Sequence, residues 1–138
     1  MKHTPAVVLS LIAMLAYAPL SHCAERLSDY QWQHRLLLIR AAGNEQPIRA
    51  ALDANRDAII ERDLVWFLVG PDGIEGSASD TLGAGLLADI LRTLGDTGGV
   101  VLIGKDGQVK ARYPQLDLEA VFSRIDSMPM RKREMAKP

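Results

Sequence analysis

The sequence predicts one α/β domain in which strands and helices surround a single mixed sheet. Its length of 138 residues suits one ordinary domain. Short continuous apolar runs such as 64–69 are typical of strands covered on both faces. Other apolar residues recur at helical spacing, as at Leu86, Ile90 and Leu94. Hydrophobic residues at 48% and charged residues at 24% exclude collagen-like, disulfide-rich and disordered chains.

Residues 1–24 differ from the rest of the chain and predict a secretory signal peptide. Lys2 and His3 form a short basic start, an apolar run covers 6–20, and small residues follow up to Ala24. The run is too short for a comfortable membrane-spanning helix. We therefore expect a periplasmic or secreted protein with no transmembrane span after processing. Residues 25–138 would form the mature domain, with a short basic C-terminal tail.

Cys23 is the single cysteine of the chain and leaves a second interpretation of this segment open. Leu20 to Cys23 resembles a bacterial lipoprotein box, in which the cysteine becomes the acylated first residue, although His22 replaces the usual Gly or Ala. The alternative localisation is therefore a lipid anchor at Cys23. In either case the folded part contains no thiol, which excludes thiol catalysis and cysteine-based metal sites.

The first half of the mature chain predicts two strands joined by a helix. The first strand covers 35–41, and its uninterrupted apolar character indicates burial on both faces. A helix over 47–61 follows, with Asn55 interrupting its apolar stripe. The second strand covers 64–69, and the Gly- and Asp-rich segment 70–80 predicts a loop.

The second half predicts a helix, a hairpin and a closing helix. Asp106 and Gly107 at the centre of the hairpin fit a type I′ turn, which requires positive φ at both central positions. Pro129 is expected to terminate the closing helix. The segments are a helix capped by Ser79 or Asp80 and ending at Leu94, strands over 100–103 and 108–113, and a helix from Asp117 to Met128.

The resulting order, β-α-β-α-β-β-α, is that of the thioredoxin core. A ferredoxin-like order would need a further strand between the second helix and the third apolar run, and the sequence shows none. We therefore predict a thioredoxin-like domain with a four-stranded mixed sheet flanked by helices.

Both halves of a thioredoxin-type redox site are missing from this predicted frame. Thioredoxin-like enzymes place a nucleophilic cysteine at the start of the first helix, where the helix N-terminus lowers the pKa of the thiol. The corresponding stretch, 41–47, contains no Cys, Ser or Thr. Gly99 occupies the place of the cis-proline that precedes the hairpin strand in thioredoxins.

Four segments of the mature chain resemble one protein family. They are Val100–Lys110 with the hairpin turn, Ile125–Met135 with its Met-Pro-Met-Arg sequence, Tyr30-Gln31-Trp32 with Arg35, and Glu61–Leu64. The family is P-DUDES, a peroxiredoxin-like domain of unknown function found in secreted bacterial proteins and in vertebrate matrix proteins with sushi-repeat or coiled-coil annotation. The similarity extends over about Leu27 to Met135. It implies a thioredoxin-like fold and export, and it supplies no established reaction.

The side chains with binding chemistry concentrate in the hairpin and in the tail. The hairpin cations could bind an anion, or they could protect a solvated sheet edge. The tail could dock on a partner through a flexible apolar pair and a cationic strip, or its methionines could lie under the sheet while its basic groups stay solvated. The candidate binding residues are Lys105, Asp106, Gly107, Lys110 and Arg112 in the hairpin, and Met128, Pro129, Met130, Arg131, Arg133 and Glu134 in the tail.

The remaining residues of interest predict structure rather than chemistry. His34 is the only histidine beyond the signal segment, so it has no second histidine with which to bind a metal. Trp32 and Trp66 are expected to pack in the core or at its edge. The acidic residues of 70–85 lack the spacing of a calcium-binding loop. We expect no metal and no cofactor, and the net charge of −1 argues against a nucleic-acid partner.

These observations favour an exported, non-catalytic module that binds a protein partner in the cell envelope or outside the cell. The basis is a complete thioredoxin-type element order without a redox residue. The alternative is a non-thiol enzyme, or a peroxiredoxin-related oxidoreductase, that acts on a small anionic substrate.

Overall fold

A computed structural model describes residues 24–78, 82–96 and 99–138. The predicted signal segment up to Cys23, including the candidate lipid anchor, lies outside the described residues. So do Ser79 and Asp80, the predicted helix caps. Within the described ranges, no helix is long and apolar enough to cross a membrane.

The described chain forms a five-stranded mixed sheet with helices on both faces. The strands are β1 (Arg35–Arg40), β2 (Leu64–Gly70), β3 (Gly73–Gly76), β4 (Gly99–Ile103) and β5 (Val109–Tyr113). The helices are α1 (Glu45–Ala54), α2 (Arg56–Glu61), α3 (Ala84–Leu94), α4 (Leu118–Asp126) and α5 (Pro129–Ala136). A 3-10 turn, Leu27–Tyr30, precedes β1. The α/β class and the mixed sheet predicted from the sequence are therefore confirmed.

The order of strands in the sheet is β3-β2-β1-β4-β5. The central strand β1 runs parallel to β2 and antiparallel to β4. The pairs β2–β3 and β4–β5 are antiparallel hairpins. Side chains of a strand alternate between the two faces, so Leu37 and Ile39 join one core while Leu36 and Leu38 join the other.

Each face of the sheet is covered by helices that pack their apolar side chains against it. On the first face, α1, α2 and α4 cover Leu37 and Ile39. On the second face, α3 and the 3-10 turn cover Leu36 and Leu38. The buried helical residues are Ile48, Leu52, Ile59, Leu118, Val121 and Ile125 on the first face, and Leu86, Ile90 and Leu94 on the second. This burial on both faces explains why β1 is apolar at consecutive positions.

The predicted strand count of four is wrong, because the segment predicted as a loop contains β3. This strand pairs with the outer edge of β2 over the register Phe67↔Gly76 to Gly70↔Gly73. It has four residues and a glycine at each end, so neither its length nor its composition is typical of a strand. Pro71 and Asp72, between two glycines, form the tight turn that allows the pairing.

Two helix boundaries also differ from the prediction. The helix predicted over 47–61 is divided at Asn55, whose side-chain Nδ2 donates to the carbonyl of Ala51 at 2.8 Å. Asparagine competes in this way with the regular backbone hydrogen bonds of a helix. Pro129 does not end the last helix region but begins α5, since proline is well tolerated at the first helical position.

The hairpin turn between β4 and β5 is not the predicted type I′ turn. Gly107 has a φ of 82°, whereas no positive φ occurs at Lys105 or Asp106. The Gly107 N–H donates to the Gly104 carbonyl at 3.0 Å, and the register shifts between Leu102 and Ile103. A turn followed by a left-handed glycine and a bulge is the alternative hairpin connection that Asp-Gly sequences adopt.

Candidate functional site

The hairpin turn and the connection between α4 and α5 line an open cavity of about 260 Å³. Sequence-predicted binding residues from both segments line it, so the fold brings together groups that are far apart in the chain. They are Lys105, Asp106, Lys110, Met128, Pro129 and Met130. Arg35, Gly104, Arg124 and Ser127 complete the lining. We call this space the hairpin cavity.

Lys105 lines the hairpin cavity and is held there by two ion pairs. Its Nζ donates to Asp63 Oδ2 at 2.8 Å and to Glu134 Oε1 at 2.7 Å. Burial by itself would lower the pKa of Lys105, but hydrogen bonds to these two carboxylates outweigh burial and raise it. Lys105 is therefore a fixed cation rather than a proton donor near neutral pH.

Arg35 opens β1 and is the most deeply buried charged group of the site. Its side chain is 1% exposed and binds Glu134 through both terminal nitrogens, each at 3.2 Å. Nη1 also donates to the Arg62 carbonyl at 2.9 Å. The Nε hydrogen is buried and has no acceptor among the described residues.

Sequence reasoning placed Arg35 at the start of a buried strand but did not assign it to the site. The available signal was an arginine heading an otherwise apolar run, because a buried guanidinium needs a counter-charge. The partner, Glu134, lies 99 positions away and could not be identified from spacing.

Arg131, a candidate for partner docking, is instead occupied inside the molecule. Its side chain is 5% exposed and donates to Glu61 Oε1 at 2.8 Å and to Asp126 Oδ1 at 3.2 Å. Nη1 reaches the Glu61 carbonyl at 3.1 Å. Burial would lower its pKa, but the hydrogen bonds to Glu61 and Asp126 raise it. Arg131 thereby anchors α5 to the end of α2.

Arg62 joins the same set of ion pairs and was not among the predicted binding residues. It binds Asp126 through two nitrogens at 3.1 and 2.9 Å, and its guanidinium lies 4.5 Å from the centre of the Phe122 ring. The hydrogen bond from Arg62 lowers the pKa of Asp126. We call the resulting set the ion cluster: Arg35, Arg62, Lys105 and Arg131 with Glu61, Asp63, Asp126 and Glu134.

The other candidate residues occupy the rim or lie outside the cavity. Lys110 Nζ binds Asp106 Oδ2 at 2.6 Å, which lowers the pKa of Asp106. Arg112 points away and donates to the Thr93 carbonyl at 3.0 Å. Gly107 and Arg133 are exposed and do not line the cavity.

Arg124, which was not predicted, also lies on the rim. Its Nη2 reaches the Lys110 carbonyl at 3.4 Å. It has no carboxylate partner in the described part of the chain.

The two tryptophans differ in their surroundings. Trp66 is half-buried and packs against the core of the first face, as predicted. Trp32 is 63% exposed, so it does not pack in the core. Its φ is 69°, and its backbone N–H donates to the carbonyl of Lys105 at 2.6 Å. A bulky residue with this backbone conformation is strained, and here the bond to the hairpin turn holds it.

A second and larger cleft of about 490 Å³ follows α2 and the beginning of β2. Its lining includes His34 and Ile60, of which Ile60 is 64% exposed. His34 Nδ1 is buried without a partner among the described residues. No group of three His, Cys, Asp or Glu residues suited to a metal ion occurs within 24–78, 82–96 and 99–138.

Comparison with known proteins supplies a family. The profile of a family described as "Domain of unknown function (DUF4174)" matches residues 26–134. Coiled-coil domain-containing protein 80 of Danio rerio is 30% identical over 134 residues, covering 80% of this chain and only 16% of that protein. No solved structure matches. Because the family match covers most of the chain, from before β1 into α5, the chain belongs to the DUF4174 family.

Proposed function

We propose that this chain is an exported, non-catalytic binding module on a thioredoxin-like scaffold. The observation that carries the proposal is the order β2-β1-β4-β5, with β1 and β2 parallel and both other pairs antiparallel. Helices alternate with these strands as in the thioredoxin core, and β3 is an addition at the β2 edge.

The segment in which a thioredoxin-type enzyme would carry its thiol supports a role without redox chemistry. Segment 41–47 leads from the end of β1 into α1, and Gly99 pairs with Arg40 beside it. Gly99 has a φ of 94°, and a side chain there would collide with the carbonyl of Tyr113. A thioredoxin-like scaffold would carry its thiol in 41–47, and this segment contains no Cys, Ser or Thr, which supports a role without redox chemistry.

An exposed aromatic side chain next to the hairpin turn supports a protein-binding role. Trp32 exposes a large aromatic ring and is tied to the hairpin turn by its backbone bond to Lys105. Exposed aromatic side chains and methionines are enriched at protein interfaces. The half-buried Met130 and the exposed Pro129 provide apolar surface at the hairpin cavity.

Export and the P-DUDES assignment belong to the same proposal. Export is supported by the basic start, apolar run and small residues of 1–24. The P-DUDES assignment is supported by the coiled-coil domain-containing relative, which is the kind of protein in which that family occurs. The mass of the mature N-terminus tests export directly: cleavage at 23 or 24 supports secretion, an acylated Cys23 supports the lipid anchor, and an intact Met1 contradicts both.

Crosslinking in the producing cells, followed by affinity capture and mass spectrometry, tests the binding role. The decisive comparison is Trp32→Ala against Ile60→Ala, because both remove a side chain of similar exposure from different surfaces. We expect a partner that is captured by the parent chain and by Ile60→Ala and is lost with Trp32→Ala. The same set of proteins with both variants would contradict a hairpin-centred interface.

Alanine substitution of Arg131 or Glu134 is a poor test of partner binding, because both residues belong to the ion cluster that holds α5. Assays of insulin reduction, disulfide isomerisation and peroxide consumption complete the experiment. We expect rates equal to those of buffer, and clear turnover would overturn the non-catalytic proposal.

A further inference from the structure

We infer that the hairpin cavity binds a small oxyanion group, such as a carboxylate, a sulfate or a phosphate. The inference deepens the proposed function, because it names the chemistry through which a partner is held. It rests on the proposed function in one respect only, namely that the partner supplies the anion. Four basic side chains line the cavity, namely Arg35, Lys105, Lys110 and Arg124, against the single carboxylate of Asp106.

The carboxylates next to the cavity do not balance this charge. Asp106 is paired with Lys110, while Glu134 and Asp63 bind Lys105, and Glu134 also binds Arg35. Arg124 remains without a carboxylate among the described residues, and its one hydrogen bond, to the Lys110 carbonyl, is long at 3.4 Å. An exposed guanidinium on the rim of a cationic cavity is placed to bind an incoming anion.

Arg35, which lines the cavity, carries a buried donor that has no acceptor. Its side chain is 1% exposed, its two terminal nitrogens are occupied, and its Nε hydrogen is unpaired in the described structure. A buried donor left unpaired costs about 1–3 kcal/mol. A ligand oxygen that reached this nitrogen would remove the cost.

The start of α5 also favours the binding of an anion in the cavity. Met128, Pro129 and Met130 line the cavity, and no side chain caps the first turn of this eight-residue helix. Free N–H groups at a helix N-terminus favour negative charge. The two methionines provide an apolar wall for the carbon atoms that carry the anion.

The size of the cavity suits a small group. Its 260 Å³ lies below the range of about 300–1,000 Å³ that is typical of cofactor and drug-sized sites. One oxyanion group or one acidic side chain fits this space.

The test follows the ¹⁵N-labelled chain by NMR during titration with acetate, sulfate and phosphate at constant ionic strength set by chloride. We expect at least one of these anions to give saturable shifts of the Arg35 Nε–H and of the Met130 and Arg131 backbone N–H groups. Shifts that never saturate, or that are equal at all basic residues, would overturn the inference.

Arg124→Gln and Arg112→Gln form a matched pair, since both arginines lose one charge and only Arg124 lines the cavity. Loss of a charged hydrogen bond is expected to weaken binding about tenfold in Arg124→Gln. Arg112→Gln should bind within about twofold of the parent, because its charge is screened at this ionic strength. Equal affinities of the two variants would overturn the inference.

A short peptide that is acetylated at its N-terminus, amidated at its C-terminus and carries one Glu, beside the same peptide with Gln, distinguishes the sources of the anion. Tighter binding of the Glu peptide than of acetate supports a carboxylate carried by a partner. Binding of free sulfate or phosphate alone keeps the oxyanion site but removes it from partner recognition. If no anion gives a saturable shift and the Arg124→Gln variant still captures the partner, the oxyanion site is contradicted. The proposed binding role is then unaffected.

Discussion

Arg35 stands at the first position of the central strand, where all the following side chains up to Ile39 are apolar and buried. A guanidinium at such a place is tolerated only when carboxylates and carbonyls satisfy it, because transfer of an unpaired charge from water is very costly. Glu134 and the Arg62 carbonyl satisfy the two terminal nitrogens of Arg35. The last helix of the described chain therefore stabilises its first strand.

Replacement of Glu134 by Gln tests this dependence. The variant keeps the shape of the side chain but leaves Arg35 and Lys105 with less negative charge, so we expect unfolding free energy to fall by about 2–4 kcal/mol. Urea unfolding followed by circular dichroism measures the change. Glu119→Gln, at an exposed position in the first turn of α4, should cost less than about 1 kcal/mol. Equal losses in the two variants would show that Arg35 does not depend on Glu134.

At the level of single residues, the sequence indicated which side chains carry charge but not which charges meet. Lys105 and Glu134 were both predicted as binding residues, whereas their ion pair joins positions that only the folded chain brings together. Trp32 was expected to pack in the core or at its edge, as aromatic residues usually do, and neither its exposure nor its left-handed backbone has a signal in the sequence.

The secondary-structure elements differ in how well their apolar patterns predicted them. Strands β1, β2 and β4 are continuous apolar runs, and α3 and α4 carry clear apolar stripes, so all five were recognised. Helix α5 has only one buried side chain, Arg131, and is held by ion pairs rather than by apolar packing. Periodicity of apolar residues cannot reveal such a helix.

Strand β3 depends on the close approach of Gly76 to the buried ring of Phe67. A Cβ atom at Gly76 would come within 2.9 Å of two ring carbons, so we expect Gly76→Ala to destabilise the domain by about 1–3 kcal/mol. Gly70→Ala is the control in the same ladder, since its Cβ would meet only ordinary contacts of 3.5 Å or more. Thermal unfolding measures both variants, and similar midpoints would mean that the Phe67 ring moves aside freely.

In the whole molecule, carboxylates that hold distant segments together have lowered pKa values. The hydrogen bond from Arg26 lowers the pKa of Asp89 to about 2, and this pair ties the start of the described chain to α3. Burial acts in the opposite direction on Glu134, but hydrogen bonds from Lys105 and Arg35 keep its pKa below the ordinary value. Both groups bind fewer protons in the folded state than in the unfolded state at mildly acidic pH.

Stability is therefore expected to fall with acid. Because the folded pKa values lie below the unfolded ones of 3.8 for Asp89 and 4.5 for Glu134, their contribution is complete above about pH 5 and is lost as pH falls toward 2. Urea midpoints between pH 7 and pH 2 measure this loss. Arg26→Gln should flatten the part of the curve that belongs to Asp89, and a midpoint that stays constant down to pH 3 would contradict the expectation.

The α/β class and the mixed sheet followed from the sequence because the order of apolar runs and helical stripes restricts the topology of an α/β domain. The hairpin cavity did not follow, since its walls come from β1, the hairpin and the α4–α5 connection. Only the packed sheet places Arg35 and Arg124 beside the predicted hairpin and tail residues. The proposal of a non-catalytic role rests mainly on the absence of a nucleophile from 41–47.

The bond between Arg35 and Glu134 closes a loop of 99 residues, and this has a consequence for biosynthesis. A polypeptide emerges from the ribosome beginning with its N-terminus, so β1 is free to pair long before its counter-ion has been translated. A nascent chain that ends before Glu134 would keep the buried guanidinium of Arg35, at the start of the central strand, without its carboxylate partner. Premature termination products should thus remain open to proteases, while the finished domain resists them.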